Sequence, residues 1–174
     1  TYNVAVGDQT GAAITTGQYN TFVGSASGDA VTDADENTAV GYNSLSSNTL
    51  GNRTVAIGTG ALRDMNFTTA TDSFNTAVGM SAGLSVTTGT DNTLIGGIAG
   101  DALTTGSRNV ALGYHALGGD DVGNRTVAIG FAALQSQNFS TSTDSYNTAV
   151  GYAAGSSVTT GTFNCLFGTQ QVMQ

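Results

Sequence analysis

The chain has 174 residues, 25 of them glycine, with no proline, tryptophan or lysine and only 9% charged side chains. Four arginines stand against twelve carboxylates, a formal charge of -8, so the clustered positive charge that nucleic-acid binding needs is missing. No apolar run approaches the roughly 20 residues of a membrane-spanning helix, and 39% apolar residues with many β-branched positions argue against a disordered chain.

Along the chain, a phrase close to Asn-Thr-Ala-Val-Gly recurs ten times. It ends at Gly7, Gly24, Gly41, Gly58, Gly79, Gly96, Gly113, Gly130, Gly151 and Gly168. The spacings are 17, 17, 17, 21, 17, 17, 17, 21 and 17 residues, and a 72-residue superrepeat returns Asn52–Gly58 as Asn124–Gly130. Seventeen residues are too few for a helical pair and too many for one hairpin strand. The period predicts a coil of two short strands and two turns, stacked so that successive strands pair in parallel about 4.8 Å apart. The absence of proline agrees, because a strand inside a stack must donate its N–H groups. The expected fold is all-β, a parallel β-roll or solenoid of about ten 17- to 21-residue coils, in a single segment over 1–174. Thr1 falls within a repeat, so a segment excised from a longer fibre protein is expected.

Just before each glycine runs an apolar column: Val6, Val23, Val40, Ile57, Val78, Ile95, Leu112, Ile129, Val150 and Phe167. One position earlier the residue is mostly alanine, with Phe22, Leu94 and Leu166 as exceptions, and Ala61, Ala82, Ala99, Ala116, Ala133 and Ala154 form a second small column three after the glycine. Alternate strand positions point to opposite faces. Two facing alanine columns imply a narrow roll with the Val/Ile column outside, where a monomer would expose a long apolar stripe. Burying that stripe against a common axis makes Val40, Ile57, Val78, Ile95, Leu112, Ile129 and Val150 the candidate interface of a homotrimer. The reverse polarity would place Val/Ile inside the roll and alanine at the axis. Four before the glycine, Asn3, Asn20, Asn37, Asn75, Asn92, Asn109, Asn147 and Asn164 predict a hydrogen-bonding ladder, interrupted by Thr54 and Thr126.

Phrases such as Asn37-Thr-Ala-Val-Gly-Tyr42 and Asn147-Thr-Ala-Val-Gly-Tyr152 resemble the head repeats of YadA-type trimeric autotransporter adhesins. They are also similar to bacteriophage tail-fibre repeats that often precede a C-terminal intramolecular chaperone domain. The resemblance covers essentially the whole chain, although coils of 17 or 21 residues are longer than those of the adhesin heads. It implies a left-handed roll, three chains about one axis and an extracellular place, on a virion tail fibre or a bacterial cell surface. The partner it implies is a host receptor, with carbohydrate the expected chemistry.

Candidate ligand contacts lie in two places. The column five before the glycine carries Tyr2, Tyr19, Glu36, Arg53, Phe74, Asp91, Arg108, Arg125, Tyr146 and Phe163. Adjacent coils set Glu36 and Phe74 beside Arg53, Asp91 beside Arg108 and Tyr146 beside Arg125, in a structural ladder or a strip that grips a glycan or an anionic group. The two long coils add protruding segments containing Asn66, Phe67 and Asp72, and Asn138, Phe139 and Asp144, which either bind ligand or pack on a neighbouring chain. Thr15, Thr32, Thr49, Thr87, Thr104 and Thr159 share a column reminiscent of ice-binding solenoids, but Asn66, Asp121 and Asn138 interrupt it and turn formation explains it.

Catalysis has little support. His115 is the single histidine and reads as a variable surface residue, while Cys165 stands in the Thr/Val column and reads as a packed thiol. Asp33, Asp35 and Glu36, and the pair Asp120 and Asp121, match no calcium-loop spacing. No zinc-ligand cluster, nucleophile elbow or phosphate loop is present, so no catalytic residue, metal or cofactor is expected. The leading expectation is an adhesive fibre segment. A spacer shaft without ligand is the alternative, and a spike that cleaves glycans with carboxylates across a chain boundary is a third.

Overall fold

The computed structural model describes residues 2–169 and has no helix among them. The strands in chain order are β1 (Val4–Val6), β2 (Thr21–Val23), β3 (Thr38–Val40), β4 (Gly51–Asn52), β5 (Val55–Ile57), β6 (Thr71–Asp72), β7 (Thr76–Val78), β8 (Thr93–Ile95), β9 (Val110–Leu112), β10 (Gly123–Asn124), β11 (Val127–Ile129), β12 (Thr143–Asp144), β13 (Thr148–Val150) and β14 (Cys165–Phe167). Ten of them form one sheet in the order β1-β2-β3-β5-β7-β8-β9-β11-β13-β14, every neighbouring pair parallel. The register pairs Ala39 with Ala56 and Val40 with Ile57, so residues of one sequence column are neighbours in space. The chain is a parallel β-solenoid of about ten coils, numbered here 1 to 10 by their glycines.

The second strand expected in each coil is absent from most of them. Small sheets β4·β6 and β10·β12 form it only where each long coil meets the coil before it. The side of the coil that follows the glycine has residues with left-handed backbone, such as Asn43 and Leu45 at φ 53° and 55°, which no strand accommodates. Non-glycine residues adopt that region at a cost of roughly 1–2 kcal/mol each. Hydrogen bonds between coils offset it: Leu45 N–H reaches Ala61 C=O at 3.0 Å and Asn43 N–H reaches Ser25 C=O at 3.1 Å.

Alanine faces inward. Ala39, Ala56, Ala77, Ala111, Ala128 and Ala149 are fully buried, as is the second small column at Ala61, Ala82, Ala99, Ala116 and Ala133. The Val/Ile column is half-buried to exposed, with Ile57 37% and Leu112 42% accessible. Both alanine columns occupy the interior, so the Val/Ile column before the glycine lies on the outer face of the strand.

The core is completed by the column four after the glycine and by that seven after it, where Val31, Met65, Val86 and Leu103 are fully buried. Leu45, Leu62, Leu117 and Leu134, four after the glycine, are fully buried in four of the coils whose strands carry alanine. Around a large inward strand residue that position is glycine instead, in its own coil or the one before: a Cβ on Gly28 would lie 2.7 Å from Phe22 of the same coil, and one on Gly155 would lie 2.6 Å from Leu166 of the next. Large against small keeps the narrow interior filled without overlap.

The asparagine ladder forms as its column predicts. From Asn3 to Asn147 each Oδ1 accepts the backbone N–H of the same column one coil on, as from Asn37 to Asn20 at 2.9 Å and from Asn109 to Asn92 at 3.0 Å. From Asn3 to Asn147 each Nδ2 donates across the coil, as from Asn37 to Gly51 C=O at 3.0 Å and from Asn92 to Gly106 C=O at 2.9 Å. At the long coils Thr54 and Thr126 lack an amide, and a serine replaces it. Ser73 Oγ lies 2.7 Å from Thr54 Oγ1 and accepts from Asn75 N–H at 3.3 Å, while Ser145 does the same for Thr126 and Asn147 at 2.6 and 3.2 Å.

Candidate functional site

The strand face has two borders. On one side runs the column five before the glycine, held in the left-handed region, with Arg53, Phe74, Arg125 and Tyr146 at φ between 50° and 58°. This conformation turns the side chain out of the corner just before the buried asparagine. On the other side, the residue directly after the glycine projects from the opposite corner.

The first border gathers two clusters, one per superrepeat. Strand β4 leads into Arg53 and β6 ends on Asp72, so their pairing sets the two side chains on adjacent rungs. Arg53 Nε donates to Glu36 Oε2 at 3.1 Å, its Nη1 meets Asp72 Oδ2, and the guanidinium lies 5.8 Å from the Phe74 ring centre. The hydrogen bond it donates to Glu36, followed by the charge of Asp72, holds Arg53 above its ordinary pKa. In the second cluster Arg125 Nε lies 3.4 Å from Asp144 Oδ2, and Nη1 donates to Tyr146 Oη at 2.8 Å. Its guanidinium sits 5.4 Å from the Tyr146 ring, which stacks on Phe163 at 5.2 Å. Both arginines are thus neutralised within the chain, and an anionic ligand would have to displace Asp72 or Asp144.

The other candidate residues do not join these clusters. Phe67 and Phe139 turn inward and are 6% exposed, filling the core of the long coils. Asn66 and Asn138 are exposed but continue the threonine column, where Thr49 Oγ1 donates to Asn66 Oδ1 at 2.7 Å. The threonine hydroxyls there are engaged with the next coil, Thr15 to Thr32 C=O at 3.1 Å and Thr87 to Thr104 C=O at 3.2 Å. Asp91 and Arg108 occupy neighbouring rungs without an ion pair; Asp91 Oδ2 instead accepts from Thr90 Oγ1 at 3.0 Å. Cys165 is exposed rather than packed, because position three before the glycine points outward. His115 is half-buried, its ring lying where a side chain on Gly118 would be.

Sequence reasoning missed a ladder on the second border. Tyr114, Phe131 and Tyr152 stack at 5.5 and 5.2 Å with planes within 16° and 6°, all about half exposed. Its signal was the aromatic residue directly after the repeat glycine, as in Gly113-Tyr114 and Gly151-Tyr152. Together with the Val/Ile column it widens the outward apolar stripe.

A groove of about 460 Å³ opens beside β14, lined by small and apolar residues including Gly155, Val158, Leu166 and Phe167, with no charged one. Among the described residues no three His, Cys, Asp or Glu side chains converge as a metal site, and no helix is long and apolar enough to cross a membrane. Fold and surface together define a class: a parallel β-solenoid with a mostly single-strand coil, a core of small residues and an apolar outer sheet face. No family model, curated protein or solved structure matches the chain.

Proposed function

We propose that the chain is a segment of a left-handed, homotrimeric β-roll fibre, extracellular on a tail fibre or a bacterial surface, that takes part in attachment to a host receptor. The observation that carries the reading is the outward Val/Ile column. It runs the length of the solenoid beside an exposed aromatic ladder, although alanine and leucine inside the roll already complete the core. A continuous apolar stripe of this kind is stable in water when it is covered, and three copies about one axis cover it with a single repeated contact. Glycan recognition would use neutral sugar hydroxyls at the Arg53–Asp72 and Arg125–Asp144–Tyr146 clusters, where donors and acceptors project from exposed side chains.

Light scattering over a dilution series tests the assembly. A mass near three times 17.4 kDa supports it, and a monomer at every concentration refutes it. A glycan array read with the same protein tests attachment.

A spacer shaft without ligand is the second reading. It is favoured by the internal neutralisation of Arg53 and Arg125 and by the inward Phe67 and Phe139, and an array without binding above background would select it.

A further inference from the structure

This inference rests on the trimeric reading and names the contact at the rim of its interface. Of the four arginines, Arg53, Arg63 and Arg125 each form an ion pair, while Arg108 forms none among the described residues and is exposed. Across the same strand face, in the same coil, Tyr114 begins the aromatic ladder. One face of its ring stacks on Phe131; the other lies over Gly97, which supplies no side chain at that level. A guanidinium without a partner and a ring face without a cover thus sit on opposite borders of one coil.

Rotation about a three-fold axis in front of the sheet face brings one border of each copy against the opposite border of its neighbour. It adds no shift along the axis, so coil meets coil at equal height. We propose that Arg108 of one copy stacks on the Tyr114 ring of the next, around all three interfaces. The same register sets Arg125 beside the edge of Phe131, whose two faces are already stacked within the chain, and Tyr146 beside Tyr152. Asp8 is the single charged residue in the column after the glycine and faces Tyr2, so no rung opposes like charges. A guanidinium over an aromatic face gains from the ring quadrupole and keeps part of its hydration, which suits an interface rim.

The test is cross-linking in a Cys165→Ser background, with Arg108→Cys and Tyr114→Cys combined and a short bis-maleimide added. Within one chain these positions lie across a strand, roughly 15–20 Å apart at strand rise, beyond the reagent's span. Covalent trimers from the double variant, with neither single variant cross-linking, are the expected result. Arg108→Gln should raise the trimer dissociation constant by about 10- to 150-fold through loss of three contacts. A trimer by light scattering that fails to cross-link, or whose dissociation constant is unchanged by Arg108→Gln, overturns this contact alone. A monomer at every concentration overturns the trimeric reading with it. Cross-linked dimers from a single variant would indicate two-fold pairing and overturn both.

Discussion

Leu94 occupies the volume that a side chain on Gly100 would need: a Cβ placed on Gly100 would lie 2.8 Å from Leu94 Cδ2. Gly83 flanks the same leucine from the preceding coil, where a Cβ would approach it to 2.7 Å. Where neither a coil's own strand nor that of the next coil carries a large inward residue, the corresponding position is a buried leucine with the same left-handed backbone, as at Leu45 and Leu117. Volume is therefore exchanged between two columns across the roll.

That exchange predicts a rescue. Leu94→Ala should cost about 2–4 kcal/mol through the cavity it leaves, and Gly100→Leu alone should be destabilising by overpacking. Combined, they should recover much of the loss, since Leu117 and Leu134 show that the backbone accepts leucine there. Thermal melts of the double-mutant cycle check it, and additive losses would contradict the exchange.

Asn37 joins two coils through one amide. Asn37→Ala would strand the buried N–H of Thr54 and remove one donor to Gly51 C=O, a loss of about 2–4 kcal/mol. Asn37→Asp keeps the acceptor, loses the donor and buries a charge, so it should be worse at pH 7 than at pH 4. Denaturant unfolding at both pH values is the measurement.

The glycine before each corner has little freedom to change. Gly58 adopts φ +129°, and a Cβ there would lie 2.4 Å from the carbonyl oxygen of Gly79. Gly58→Val should cost about 3 kcal/mol or more, because both the backbone region and the contact with the next coil exclude a side chain. A melting temperature within a degree or two of the parent's would sink this argument.

Among the buried positions at which the two superrepeats differ is one pair on adjacent coils. Asn48 and Met65 in the first become Asp120 and Gln137 in the second, all four fully buried. Burial pushes the Asp120 carboxyl up, despite hydrogen bonds from Gln137 Nε2 at 2.7 Å and Gly123 N–H at 3.1 Å. A folded pKa above the unfolded one means that the native state holds the proton more tightly. The stabilisation is complete below the ordinary carboxylate range and is lost as pH rises through the raised value. Asp120→Asn should therefore raise the melting temperature at pH 7, with the gain shrinking or reversing at pH 4. An equal shift at both would remove the carboxyl as its cause.

The outward face is tested by Ile57→Asp. Ile57 is 37% exposed, so a charge there should leave the single roll folded by circular dichroism while lowering the mass seen in light scattering to that of one chain. An unchanged trimer would exclude this face as the interface.

Much of the architecture was legible in the chain. The ten glycines, the 17-residue spacing and the asparagine column determine parallel coils in exact column register, because a repeated residue finds its own kind one coil away. The paired Thr54/Ser73 and Thr126/Ser145 substitutions were visible as letters, but their meaning depends on the extra residues of the long coil bringing each serine beside its threonine. Other features required the tertiary structure. Hydrophobic periodicity cannot separate alanine inside from valine inside, since both satisfy alternation; the width of the roll decides it. Turn propensity does not reveal that the far side of the coil alternates into left-handed backbone, because that conformation is stabilised by carbonyls from neighbouring coils. Nor does a column show whether its members bond to one another: Arg53 pairs with Asp72 where β4 and β6 align them, whereas Asp91 and Arg108, adjacent in the same column, do not pair. Local repetition set which residues became neighbours, and the three-dimensional width and corner geometry of the coil set which way their side chains turned.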